Sequence, residues 1–201
     1  EQIEGLKAGG VDVVWIETMS SPDEIRAAAE AAVKVGLPFT YTGSFDTAGK
    51  TMMGLDPKDI HGVAGDIGEG PVAVGANCGV GASDILSSLL DMTAADPDAV
   101  TIVKGNCGIP EYRGAEIHYS GTPPLMAEYA RLARDAGAKI IGGCCGTSCE
   151  HLAAMRHALD DYTPRPRPTI EEIVGRIGPL RNKTASEAGG EPGRERRRRR
   201  G

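Results

Sequence analysis

The chain has 201 residues, 40% of them hydrophobic and only 4% aromatic, with a net charge of −6. That supplies one ordinary domain with a sizeable core, yet falls short of the roughly 250 residues of a closed eight-stranded α/β barrel. No apolar run approaches the roughly 20 residues of a membrane span and no signal-peptide pattern opens the chain. A body near −10, ahead of a +4 stretch over 182–201, argues against nucleic acid as the main partner.

In chain order, the run VDVVWI from Val11 predicts a first strand that ends at Glu17-Thr18, with Trp15 read as core. Ser21-Pro22 with Glu24 reads as a capping box. Ile25, Ala28, Ala29, Ala32 and Val33 follow as one apolar stripe at helical spacing, closed by Gly36 and Pro38. FTYTGSF from Phe39 predicts the second strand, with Ser44 near its end, and Asp56-Pro57 opens a further helix. VAVGA from Val72 is the third strand, running into Asn77-Cys78, and Ser83 is the expected cap of the next helix. VTIVKG from Val100 leads to Asn106-Cys107, and Thr122-Pro123 opens a helix. KIIGG from Lys139 runs into Gly-Gly-Cys-Cys-Gly, with Thr147 or Ser148 capping the last helix of the repeat. Thr169 with Glu172 begins a terminal helix whose Ile170, Ile173, Val174 and Ile177 share a face. From Asn182 onward Gly, Glu and Arg occur without periodicity, so 1–181 is expected to be the folded part and 182–201 a disordered basic tail.

The strand starts are spaced 28, 33, 28 and 39 residues apart, which fits βα units and not hairpins. Near-continuous apolar strands indicate a parallel sheet. Five units cannot close a barrel, and open edges are an aggregation hazard. Either three units precede these five, or the sheet is open and doubly wound. No G-x-G-x-x-G follows a strand at a helix entry, so dinucleotide binding has little support.

The chemistry sits at the strand ends, where α/β barrels carry their active sites. The five cysteines (Cys78, Cys107, Cys144, Cys145 and Cys149) are odd in number, and in a cytosolic chain they point to metal or thiol chemistry before disulfides. Cys78 with the adjacent pair Cys144 and Cys145 would give a Zn²⁺ ion three thiolates from two strand ends and leave its fourth position open. The bland reading of any one cysteine is core filling, and it is the reading favoured for Cys107. Cys149 is read as a helix-start residue, with a secondary reading as an alternative metal ligand. His61, His118, His151 and His157 share no ligand-like spacing and are expected on the surface or in packing. A competing class is a thiol-redox protein using Cys145 and Cys149.

Gly-x-Asn-Cys at Gly75–Cys78 and Gly-Gly-Cys-Cys-Gly-Thr at Gly142–Thr147, 66 residues on, resemble the paired zinc motifs of the homocysteine S-methyltransferases. Ile16-Glu17-Thr18 and Ser44-Phe45 stand in the matching order, so the resemblance runs from about Val11 to Leu159. It implies a (β/α)8 TIM barrel, present here as roughly its last five units plus a C-terminal helix. It further implies Zn²⁺ held by Cys78, Cys144 and Cys145, Glu17 on the substrate amino group, and Ser44 as a second substrate-binding residue. The implied reaction is methyl transfer from a small donor, betaine-type favoured, to the thiol of homocysteine, giving methionine. Homocysteine and the donor would be the partners, in a cytoplasmic enzyme whose full-length form could be a homo-oligomer. The resemblance lacks the family's first three strands with their Gly-rich homocysteine loop, which keeps an inactive truncated fragment as an alternative.

Overall fold

The structure is a computed structural model that describes residues 1–108, 110–114 and 116–182. Its strands are β1 (Val14–Met19), β2 (Phe39–Gly43), β3 (Ala73–Cys78), β4 (Thr101–Gly105), β5 (Pro110–Arg113), β6 (Glu116–Tyr119) and β7 (Ile140–Gly143). The helices are α1 (Gln2–Ala8), α2 (Pro22–Val35), α3 (Ala82–Ala95), α4 (Pro123–Asp135), α5 (Cys149–Leu159) and α6 (Ile170–Ile177). A 3₁₀ turn spans Pro57–Gly62.

Five strands make one parallel sheet in the order β1-β2-β3-β4-β7, and β5 and β6 pair as a separate antiparallel hairpin. Each sheet strand lies beside the next one along the chain. A doubly wound sheet reverses its strand order at a switch point, and no reversal occurs here. Of the two topologies left open by spacing alone, the sequential one is observed.

Alternation along the strands divides the sheet's two faces. Val14, Ile16, Tyr41, Val74, Ala76 and Val103 enter the buried cluster beneath the helices. Ile25, Ala29 and Ala32 of α2, Leu86 and Leu89 of α3, and Met126 and Leu132 of α4 complete that cluster. The opposite face carries Trp15 and Glu17, both partly exposed on β1. Trp15 is 39% exposed, so its reading as core is overturned. Strand period is the cause, because with Val14 and Ile16 turned toward the helices the residue between them must face away.

Helix starts follow their capping chemistry closely. Ser21 accepts from the Glu24 backbone N–H, while the Glu24 carboxylate turns back and accepts chiefly from the Ser20 N–H and hydroxyl, one residue ahead of the expected partner. Thr122 accepts from Leu125, and Thr169 and Glu172 form a full reciprocal box. Ser148 precedes α5, and its N–H donates to His151 Nδ1 at 3.1 Å, which gives that histidine a capping role. Such caps contribute about 1 kcal/mol each. Two expectations change. Asp56-Pro57 opens only the six-residue 3₁₀ turn, which gives way to the glycine-rich 62–70 segment. Ser83 does not cap α3; Gly81 stands at that position and the Ser83 hydroxyl donates to the Gly178 carbonyl at 2.6 Å.

The C-terminal segment is tied back across the strand ends. The buried Asp84 carboxylate accepts from the backbone N–H groups of Arg181 at 3.0 Å and Asn182 at 2.8 Å. The Asn182 amide also donates to the Phe45 carbonyl at 3.1 Å. Asn182 is therefore anchored to the body; the basic stretch assigned to the tail lies, from 183 on, outside the described residues.

Candidate metal centre

β3 and β7 end on opposite sides of β4, and this brings the Gly75–Cys78 and Gly142–Thr147 segments together. The β4–β7 ladder is extended past the strand by Cys144 N–H donating to Gly105 O at 2.8 Å and Cys107 N–H to Cys145 O at 2.9 Å. These bonds set the backbone of the adjacent cysteines over the end of β4. The bend requires glycine. At Gly146 φ is +75°, and a Cβ there would stand 2.2 Å from Cγ of the Tyr119 ring.

The three sulfurs converge. Cys78 Sγ lies 3.9 Å from Cys145 Sγ, Cys144 Sγ lies 4.0 Å from Cys145 Sγ, and all three fall within 4.8 Å of one another. Zinc–thiolate bonds of about 2.3 Å in a tetrahedron put their sulfurs about 3.8 Å apart. The two separations to Cys145 Sγ match that edge length, and the third pair lies within 4.8 Å. Among the described residues this is the group of cysteine, histidine or carboxylate side chains arranged to hold a metal ion. The donor set fits a thiophilic cation, and it leaves one tetrahedral corner without a protein sulfur.

Two buried asparagine amides hold the cluster in place. Asn77 accepts from the Thr18 backbone N–H at 3.0 Å and from the Thr42 hydroxyl at 2.6 Å. Its NH₂ donates to Thr18 Oγ1 at 2.7 Å and points to Cys144 Sγ at 3.8 Å. Asn106 accepts from Cys145 N–H at 3.0 Å, donates to Gly79 O at 2.8 Å and reaches Cys78 Sγ at 3.7 Å. Donors aimed at sulfur favour the thiolate, the ligand form. Sequence reading placed both asparagines at strand ends but gave them no role, because an amide's partners depend on the neighbouring strands and not on its own spacing.

Backbone strain is concentrated here. Thr18 has φ +63° and Cys78 φ +64°, two of the four non-glycine residues with positive φ among the described residues. Such a conformation is unusual for any residue and most costly for a β-branched one, on the order of 1–3 kcal/mol. The Asn77 side chain grips Thr18 from both sides of its peptide and holds it there.

Charge adds a further constraint. Burial, with the neighbouring Cys144 and Cys145 sulfurs, pushes the Cys78 thiol up to about 11, and the Asn106 amide only partly opposes this. An uncharged thiol is therefore the resting form, and a bound cation reverses that preference. Glu17 forms an ion pair with Lys104 of β4, whose ammonium lies 5.2 Å from the centroid of the Trp15 ring. Burial lowers the Lys104 pKa, with the Cys144 sulfur acting in the opposite direction.

The remaining expected residues separate cleanly. Ser44 is buried at the end of β2, its hydroxyl 3.4 Å from Asp46 Oδ2. Cys107 is fully buried in the hydrophobic cluster, in line with core filling. Cys149 begins α5 and is exposed, outside the three-sulfur group. Tyr119, at the end of β6, was missed. Its phenol is raised by burial and by the adjacent Cys145 sulfur, and its ring covers Gly146. Nothing in the local sequence separates it from an ordinary loop tyrosine.

An α/β protein with sequential parallel strands and a three-thiol centre at their carboxyl ends is a narrow class. Residues 1–159 match the model of the homocysteine S-methyltransferase family, and the chain belongs to that family. The fold is similar to the crystal structure of the homocysteine methyltransferase MmuM from Escherichia coli, oxidized form, with a TM-score of 0.63 and 23% identity. The match covers 78% of this chain and 48% of that one, so the chain spans about half the length of the relative it matches. No helix among the described residues is long and apolar enough to cross a membrane.

Proposed function

We propose that the protein, or the longer protein of which it forms the metal-binding half, transfers a methyl group from a small donor to the sulfur of homocysteine. Cys78, Cys144 and Cys145 hold Zn²⁺, and the observation that carries the reading is the convergence of their three sulfurs within 4.8 Å of one another. Zinc lowers the pKa of an incoming thiol so that it binds as thiolate, the nucleophilic form. The chain's own residues prepare that event. Asn77 and Asn106 orient the sulfurs, Glu17 holds the substrate ammonium, and Ser44 lies at the next strand end on the same rim. The substrate sulfur then forms a bond to the donor's methyl carbon as the carbon–heteroatom bond to the leaving group breaks, and the thiol proton passes to solvent.

Three thiolates leave the divalent centre net negative, which attracts a cationic donor. That favours an onium compound of the betaine type over an anionic one. Free thiols of this kind persist in a reducing compartment, which supports a cytoplasmic location. We further read the sheet as five of the eight units of a TIM barrel, with β1 and β7 as the strands that the other three would join.

Zinc content and methionine formation test the reading together. The expected result is one zinc per chain, lost in Cys78→Ser, and methionine formation from homocysteine with betaine or a sulfonium donor. The assay is run with this chain alone and with the remaining barrel units supplied. A chain that binds no zinc under reducing conditions, or a loaded and completed barrel that forms no methionine with any donor in the panel, refutes it.

A further inference from the structure

We propose that Lys104 and Glu17 together form a receptor for a zwitterionic head group, with Lys104 taking the carboxylate of an α-amino thiol. This rests on the thiol-binding reading of the metal centre given above. Glu17 lies on β1 and Lys104 on β4, 87 residues apart and with two strands between them. For them to meet, both side chains must rise into the same space over β2 and β3. Gly75 of β3 lies on this stretch of sheet, in register with Ile102, and adds no side chain to it. On the far side the stem of Lys104 runs along Gly142, where a Cβ would stand 3.2 Å from Lys104 Cγ. Gly142 is two residues from Cys144.

Both charges are within reach of a ligand, with side chains 20% and 38% exposed. Lys104 is the more buried partner, so opening the pair is favourable only when the ligand supplies a replacement for each charge. What replaces it must still pair both charges. A simple amine placed on Glu17 would strand Lys104, a half-buried cation, without a partner. A zwitterion leaves neither charge alone, since its ammonium meets Glu17 and its carboxylate meets Lys104. The Trp15 ring, 5.2 Å from the Lys104 ammonium, attracts the cation and keeps it near this position once Glu17 releases it.

The pair is also placed correctly relative to the sulfurs. Glu17 precedes Thr18, which is clasped by Asn77, whose amide touches Cys144 Sγ at 3.8 Å. Lys104 reaches the same region from the neighbouring strand. The pair and the sulfurs are thus linked at one end of the sheet, with Lys104 close enough to Cys144 to feel its charge, and this is where the inference places the α-carbon substituents of a bound thiol. Selection is for a short thiol carrying both ammonium and carboxylate.

The test is thiol binding to the zinc-loaded full chain, followed by calorimetry, with homocysteine, 3-aminopropanethiol (no carboxylate) and 4-mercaptobutanoate (no ammonium). The wild type is expected to prefer homocysteine to both by about tenfold or more, as befits a charge-assisted contact. Lys104→Met should lose about tenfold for homocysteine and bind 3-aminopropanethiol at least as tightly as wild type, whereas Lys104→Arg should keep the preference. Lys104→Met binding homocysteine as tightly as wild type, or weakening both amines equally, overturns the assignment to Lys104 alone. If none of the three thiols binds the loaded protein, the thiol reading of the centre falls, and this inference with it.

Discussion

Asn77 is the side chain on which the site and the fold depend together, and Asn77→Ala separates their contributions. The residue is 1% exposed, and the Thr42 hydroxyl it serves is fully buried. Alanine leaves that hydroxyl without its acceptor, which costs about 1–3 kcal/mol, and the lost amide volume adds about 1 kcal/mol of cavity cost. The Thr18 N–H is only partly buried and finds water, so it adds little. The expected destabilisation is about 2–4 kcal/mol, which at this chain length lowers Tm by about 5–15 °C. Asn77→Asp is the discriminating partner. It keeps both acceptor contacts, to Thr18 N–H and Thr42, and loses the donations to Thr18 Oγ1 and Cys144 Sγ. It also brings negative charge toward the sulfurs. Asp is therefore expected to melt closer to wild type than Ala, while zinc affinity falls about 10–100-fold, the usual loss for a removed outer contact of a metal ligand. Calorimetric melting of the apo protein and zinc competition against a chromophoric chelator read the two quantities. An Ala variant melting within about 2 °C of wild type, or an Asp variant with wild-type zinc affinity, would refute the reasoning.

Zinc uptake should release protons. With the Cys78 thiol near 11 it is protonated at pH 7, and coordination must expel that proton. Zinc affinity should therefore rise steadily from pH 6 to 8, with at least one proton released per zinc bound, measured by calorimetry of the wild type in buffers of different ionisation enthalpy; binding without proton release would refute this. His61 gives a stability test. Its pKa is lowered by burial, with Asp96 opposing. The unfolded chain then takes up a proton near the ordinary 6.5 that the folded chain refuses until lower pH. Stability from neutral His61 is fully present above 6.5 and is lost as pH falls toward the depressed folded value. His61→Leu should unfold with a shallower dependence on pH below about 6.5, by up to one proton; an unchanged slope in urea denaturation would refute this.

Strand positions, the sequential βα repeat and the meeting of positions 78, 144 and 145 were legible because each rests on a local signal. Apolar runs mark strands, Ser-Pro and Thr-Pro mark helix starts, and cysteine type marks soft-metal chemistry. The ends of those signals were less legible. β1 begins at Val14, not Val11, because its ladder starts where Val14 N–H meets the Pro38 carbonyl, a contact fixed by the neighbouring strand. The β5–β6 hairpin has no alternating pattern long enough to announce it in EYRGAEIHY. Trp15 misled because hydrophobicity alone does not say which face of a sheet is covered. Asn77, Asn106 and Lys104 carried no signal, since each acts through residues 27 or more positions away.

That pattern has a physical reason. A metal centre built on a sheet takes its ligands from strand ends, and the supporting contacts must come from whichever strands lie alongside. Asn77 connects β1, β2 and the Cys144 turn, while Asn106 connects the β3 and β7 turns. Between them every strand of the sheet contributes to the placement of three sulfurs. A one-residue slip of β3 would turn Asn77 to the helix side and bring Cys78 to its place, removing both the clasp on Thr18 and a ligand in one step. The site therefore acts as a check on sheet register. Metal binding should stabilise the native alignment over every slipped alternative, because only the native one presents all three sulfurs to the same point.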